Sequence, residues 1–256
     1  MKGPSNDTRR VNEAYYGSLE AGRDDYWRKM AAPRLRMSTF LRLMRTPPPA
    51  RLIDLGCGNG RLLEEVARRH PSTELSGIDL SEEQIAANRR ARPEITWHIA
   101  DLTRHDSIPP GLHDRFDTVV ASELIEHVED PARFLRNALA VAAPGEGRLL
   151  LSTQSGPVRE TERRVGHHRH FSRLEMTDLL QRSGWRPLKV WNCGFPFHDL
   201  SKWWANRDPD KSMARFSDRA YGVSENLVCM ALRAAFLFNS RRRGAQLFAV
   251  AIRRDG

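Results

Sequence analysis

The amino-acid sequence predicts an α/β protein built on a parallel sheet covered by helices on both faces. Three observations lead there. Short apolar runs alternate with helix-period segments between residues 51 and 156. A glycine-rich loop, Asp54-Leu55-Gly56-Cys57-Gly58-Asn59-Gly60, joins the first such run to the first such helix. Acids stand at Asp54, Asp79 and Asp101, at the ends of three successive runs. Strand–helix alternation implies parallel strands, because each return to the sheet needs a crossover.

The elements follow in order. Residues 23–45 have a helical pattern and precede the Pro47-Pro48-Pro49 break, which predicts a leading helix outside the sheet. Residues 52–55 form the first strand, and 60–70 a helix with Leu62, Leu63, Val66 and Ala67 on one face. The second strand is 75–80; Ser81, with Glu83 and Gln84 behind it, caps a helix running to Ala91. Strands at 95–100, 116–121 and 148–152 follow. Between the last two, a helix starts near Pro131 and ends near Ala142, ahead of Pro144-Gly145. A helix over 172–183 and a strand over 187–191 come next. Residues 198–243 differ in character and carry Trp203, Trp204, Phe216, Tyr221, Phe236 and Phe238, as in a helical insertion. Residues 244–253 return to a strand.

At 256 residues and 29.3 kDa, with 40% hydrophobic and 29% charged residues, the chain can bury a full core without disulfide staples. No apolar run approaches 18 residues, so membrane insertion is not expected, and the polar residues 1–10 lack the apolar stretch of a secretory signal. Cys57, Cys193 and Cys229 are too widely spaced for a disulfide framework or a zinc pattern, and the expectation is a cytoplasmic protein. The net charge of +9 comes from 36 Arg and 5 Lys scattered along the chain, so the expectation is a solvated basic surface rather than a nucleic-acid groove.

The glycines of the 54–60 loop let the backbone turn sharply and approach a ligand closely. Their spacing is GxGxG, where a dinucleotide loop has GxGxxG. Asp79 is placed to grip the two hydroxyls of a ribose, at the strand ends where ligands bind in open α/β sheets. Together these residues resemble the class I S-adenosylmethionine-dependent methyltransferases, over roughly residues 36–184. The resemblance implies a Rossmann-like seven-stranded sheet with an antiparallel last strand, which suits 244–253. It implies that Gly56, Gly58 and Gly60 frame the loop under the methionine part of the cofactor. Asp79 would hold the ribose, Leu80 would flank the adenine, Asp101 and Leu102 would face its amino group, and Ser122 would lie close by. Asp54 fits a buried strand-end carboxylate satisfied by loop amides, a role compatible with cofactor binding.

The segment Ser122-Glu123-Leu124-Ile125-Glu126-His127-Val128-Glu129-Asp130-Pro131 resembles the ubiquinone-biosynthesis O-methyltransferases. That resemblance implies a divalent cation, Mg²⁺ or Mn²⁺, on Glu123, Glu126 and His127. It also matches Arg36, twenty residues before Gly56, to a cofactor-contacting arginine; a solvated helix charge is the other reading of Arg36. The chemistry sets the demand. A phenol with pKa ~10 must lose its proton before it can be methylated at neutral pH. His127 as general base would take it, or a cation would lower the hydroxyl pKa. A third reading is a solvated helix start rich in acids. Further on, Gly166-His167-His168-Arg169-His170-Phe171-Ser172 resembles the H-x-R-x-F-[ST] stretch of small-molecule methyltransferases. His167 or His170 would reach the reacting centre, unless Ser172 simply caps a helix beside exposed histidines. The catalytic candidates are therefore His127, Glu123, His167 and His170.

These expectations describe one methyltransferase domain over 1–256. A helical cap spans 1–46, a cofactor-binding core 47–195 and 244–256, and an insertion 196–243 forms the acceptor pocket. The reaction expected is methyl transfer from S-adenosylmethionine to an O or N atom of a small-molecule acceptor, a specialised metabolite. The insertion's aromatics suit an apolar acceptor, and equally a helical core or a homodimer surface. Two alternatives stand beside it. RNA 3′-terminal 2′-O-methyltransferases also carry Glu-x-x-Glu-His around a metal, though the later histidine spacing departs from theirs. The other is a cofactor-binding protein without turnover.

Overall fold

Central strands that read as continuous apolar runs are stable only with both faces covered. The computed structural model describes residues 23–104, 107–216 and 220–254, so residues 1–22 of the expected cap lie outside the described residues. Its strands are β1 (Arg51–Leu55), β2 (Glu74–Asp79), β3 (Thr96–Ile99), β4 (Thr118–Ser122), β5 (Arg148–Gln154), β6 (Trp185–Cys193) and β7 (Gln246–Arg253). They form a single sheet in the order β3-β2-β1-β4-β5-β7-β6. The first five run parallel and β7 runs antiparallel to both β5 and β6. The expected seven-stranded topology holds.

Helices alternate with the strands: α1 (Arg23–Lys29), α2 (Ala31–Leu43), α3 (Arg61–Arg69), α4 (Glu82–Ala91), α5 (Pro131–Val141), α6 (Glu160–Arg164), α7 (Arg173–Arg182), α8 (Phe197–Ala205), α9 (Pro209–Phe216) and α10 (Val223–Phe236). Successive strand side chains point to opposite faces, which splits the core in two. Ile53, Leu55, Val119, Ala121, Leu149 and Leu151 pack against α5 and α7. Leu52, Val120 and Leu150 pack against α2 and α3. Ser81, Asp130 and Ser172 cap α4, α5 and α7 by accepting the backbone N–H of Gln84, Arg133 and Glu175.

Three expected boundaries are corrected. The leading helix is broken at Met30 into α1 and α2. A continuous helix would set Pro33 against the carbonyl of Lys29; restarting at Ala31 places the proline harmlessly in a first turn. β4 starts at Thr118, not at 116, because Phe116 makes an isolated bridge to Ala142 instead. β6 extends over nine residues, with a register shift beside Pro187, which has no N–H to give the ladder. Among the described residues, no helix is long and apolar enough to cross a membrane.

Candidate active site

In the parallel part of the sheet, side chains at the carboxyl ends of β1, β2, β4 and β5 are brought to one edge by the register. A cavity of about 1250 Å³ opens there. Its wall holds Arg36, Asp54, Gly56, Gly58, Asp79, Leu80, Asp101, Leu102, Ser122, Glu123 and His127. The volume exceeds what one drug-sized ligand occupies, so two small molecules have room together.

The loop after β1 is built as a cradle. The amides of Gly56 and Cys57 both donate to Ile78 O, at 2.8 and 2.9 Å. Asp79 accepts the Gly58 amide at 2.8 Å and the Ser81 amide at 3.0 Å. Asn88, buried on α4, donates to Gly58 O at 2.7 Å. Gly58 has open space where a side chain would start, whereas a Cβ at Gly60 would meet the Trp97 ring at 2.5 Å. Gly60 therefore shapes the loop from behind and does not line the cavity. Asp54 is buried, and its Oδ1 has no hydrogen-bond partner among the described residues. Burial, reinforced by the Asp79 charge, pushes its pKa up to about 8. Asp101 accepts the Thr103 hydroxyl at 2.6 Å and its amide at 3.0 Å.

The segment after β4 is not a solvated helix start. Ile125–His127 is a single 3₁₀ turn, and Glu126 and His127 are both buried. Glu123 takes a left-handed backbone conformation, φ 52°. Its carboxylate accepts from Ser152 Oγ at 3.0 Å, from Gln246 Nε2 at 2.8 Å and from Gln154 Nε2. Arg36 pairs with it at 3.7 Å and is itself 6% exposed, so Arg36 is not a solvated helix charge. Burial alone would raise the Glu123 pKa, yet Arg36, Gln154, Gln246 and Ser152 together hold it below the ordinary range. Glu126, given one bond by Thr153 Oγ1 at 2.7 Å, is pushed well upward by burial and by Glu123. Their surroundings thus drive two neighbouring carboxyls in opposite directions.

Three histidines join them. His127 and His167 meet edge to face with ring centroids 4.6 Å apart, and His167 Nδ1 lies 3.0 Å from His170 Nε2. Burial lowers His127 to about 4, against the opposing pull of Glu123. Burial also takes His167 to about 2, helped by His127 and His170. Ser172 does cap α7, but the side chain of His170 is 1% exposed; of His167, His168 and His170 only His168 is exposed. The donors that converge within 4.8 Å are Glu126, His127 and His167, whereas Glu123 is held by its own set of partners.

Sequence reasoning missed Gln154, Gln246, Thr153 and Lys202. The signal for the glutamines was available: polar residues at the end of one apolar strand and the start of another. The insertion corrects a further expectation, since none of its described residues lines the cavity. Trp203 and Trp204 instead face outward, 47% and 69% exposed, and the wall opposite the glycine loop comes from α1 and α2. The insertion reaches the site only from behind. Lys202 bonds Gln154 Oε1 at 2.8 Å and pairs with Glu162 at 2.6 Å.

A sheet of this order with a glycine loop and acids at its first strand ends defines the class I S-adenosylmethionine-dependent methyltransferase fold. The chain belongs to the methyltransferase-domain family, whose model matches residues 24–190. It is 36% identical over 107 residues to a ubiquinone biosynthesis O-methyltransferase of Aeromonas salmonicida, covering 40% of this chain and 42% of that one. The chain thus spans less than half the length of that relative. Two solved structures share the fold at low identity. The N-methyltransferase NodS of Bradyrhizobium japonicum, in complex with S-adenosylhomocysteine, has a TM-score of 0.60 at 16% identity, over 96% of this chain and 100% of that one. The 1,6-didemethyltoxoflavin-N1-methyltransferase of Burkholderia thailandensis has 0.61 at 15%, over 100% of this chain and 92% of that one.

Proposed function

We propose that this protein transfers the methyl group of S-adenosylmethionine to a hydroxyl or amine of a small-molecule acceptor, with His127 taking the proton. One observation carries the reading: a single cavity holds both the glycine loop with its strand-end acids and the Arg36–Glu123–His127 group. The site fits the cofactor. The open space at Gly58 leaves room for a ligand against the backbone, and the unpartnered Oδ1 of Asp54 calls for a donor such as an ammonium. Bound there, the cofactor would supply an activated methyl on a sulfonium. Asp79, Leu80, Asp101 and Leu102 would hold its nucleoside end, and Gly56 and Gly58 its amino-acid end.

The chain's own residues do the rest. His127, kept neutral by burial, is able to accept a proton at pH 7. Glu123, kept ionised, favours the imidazolium that results. Trp27, Pro33, Met37, Phe40 and Leu41 line the cavity beyond the cofactor residues beside Arg28, Arg34, Arg42 and Arg45, and favour an aromatic acceptor that also carries a polar or anionic group, as in specialised metabolites. His127→Ala should lower kcat by ~10²–10⁴ and leave S-adenosylhomocysteine affinity unchanged. Full activity in that variant would remove the base.

A second reading rests on the convergence of Glu126, His127 and His167. Two imidazoles and one carboxylate would suit Mn²⁺ or Fe²⁺ better than Mg²⁺, which prefers an oxygen shell. The buried Glu126 Oε1 has no hydrogen-bond partner among the described residues, as an unfilled ligand position would. Dialysis against a chelator, followed by metal add-back, separates this from metal-free base catalysis.

A further inference from the structure

The α10 helix is apolar apart from Ser224, Glu225 and Asn226 in its first turn and Arg233. Its inner face packs on α8 and on the cap helices α1 and α2. The outer face is unlike that of a solvated helix. Val223, Leu227, Met230, Ala231, Ala234, Leu237 and Phe238 follow the three-and-four spacing that defines one stripe, and all are exposed. Leu237 and Phe238 are 83% and 77% exposed. Contiguous exposed apolar surface of this kind marks an interaction site.

Its occupant follows from charge. Arg241, Arg242 and Arg243 are all exposed and continue directly from the stripe, and Arg233 flanks it. Between residues 223 and 243 the single acid is Glu225, which is buried and paired with Arg215 at 2.8 Å. The Phe195 amide donates to Arg243 O and the Ser240 amide to Phe195 O, which sets the exposed Phe195 beside the arginines. An apolar stripe ending in bare arginines complements a bilayer with anionic headgroups. A second copy of the chain fits poorly. A two-fold interface would set one basic face against another, and the one acid of this segment, Glu225, is buried and already paired with Arg215.

We infer that the α10 face, with Arg241, Arg242 and Arg243, docks the protein on the surface of an anionic phospholipid membrane. It lies on the bilayer and does not cross it. The inference stands apart from the methyl-transfer reading, since it uses no residue of the cavity.

Co-sedimentation of the full chain with vesicles tests it. The protein should partition onto mixed phosphatidylcholine–phosphatidylglycerol vesicles and far less onto phosphatidylcholine alone. Replacing the three arginines with Gln should weaken binding about 10²-fold, at roughly fivefold for each arginine near the surface. Leu227→Glu with Met230→Glu should abolish binding while S-adenosylhomocysteine affinity, read by calorimetry, stays at the wild-type value and reports an intact fold. Absence of binding to the anionic vesicles, or binding undiminished in both variants, overturns the inference. So does a dimer in sedimentation velocity that Leu227→Glu dissolves, because a second copy would then cover the face.

Discussion

Glu123 holds a backbone conformation that costs a non-glycine residue roughly 1–2 kcal/mol. Its surroundings over-determine it: the amide donates to Ser152 O at 3.0 Å while the carboxylate takes Ser152, Gln154, Gln246 and Arg36. Glu123→Gln keeps the shape but strands a buried guanidinium. Chemical denaturation should show a loss of about 3 kcal/mol or more, the usual cost of breaking a buried ion pair from one side. An unchanged midpoint would mean that Arg36 is compensated elsewhere. Asp54 makes a prediction of opposite character. The folded protein keeps its proton up to about pH 8, while the unfolded chain releases it near the ordinary value of 3.8. This carboxyl's contribution is therefore fully present at low pH and is lost as pH rises between those two values. Asp54→Asn removes the dependence, so its Tm relative to wild type should climb as pH is raised through that window. A difference that ignores pH would contradict the buried neutral acid.

At the scale of elements, two glycines of one loop separate folding from binding. A Cβ at Gly60 would lie 2.5 Å from Trp97, whose indole is buried and pinned by its bond to Arg92 O at 3.0 Å. Strain and overpacking together make Gly60→Ala cost about 2–4 kcal/mol. Gly58→Ala meets nothing, so thermal melts should show only about 1 kcal/mol of strain, and calorimetry a loss of S-adenosylhomocysteine affinity. The reverse pattern would mean that Gly58 is the structural glycine and Gly60 the one at the ligand. The sheet, its helices and this loop are legible in sequence because they are written locally, in period-two runs, in caps such as Ser81 and Asp130, and in glycine spacing. The break at Met30 is also local, written in Pro33, but it follows only from asking which carbonyl the proline ring would strike. The carboxylate network is not local. Gln154 and Gln246 stand 92 residues apart and meet because β5 and β7 pair in antiparallel register. Nor does periodicity reveal which face of an aromatic helix turns inward, so Trp203 and Trp204 read as pocket lining when they face solvent.

Across the whole molecule, a half-buried cation of the insertion, Lys202, reaches toward the Glu123 and histidine group. Lys202 of α8 pairs with Glu162 of α6 at 2.6 Å, and the two side chains are 15% and 10% exposed. Glu162 in turn lies 3.9 Å from His170, the outer member of the histidine line that ends at His127. Through Gln154 the same ammonium touches the residue that clamps Glu123. The described part of the insertion therefore braces both Glu123 and the histidine line without lining the cavity. Lys202→Met should destabilise by about 3–5 kcal/mol, because it leaves the Glu162 carboxylate buried and unpaired. Adding Glu162→Gln should recover most of that loss, which a double-mutant cycle measures as coupling between the two positions. The catalytic outcome distinguishes bracing from mere stability. If the pair positions His170 and His167, the refolded double variant should keep cofactor affinity yet lose kcat, since the histidines no longer have a charged anchor. Wild-type kcat in that stable double variant would limit Lys202 to holding the insertion on the core.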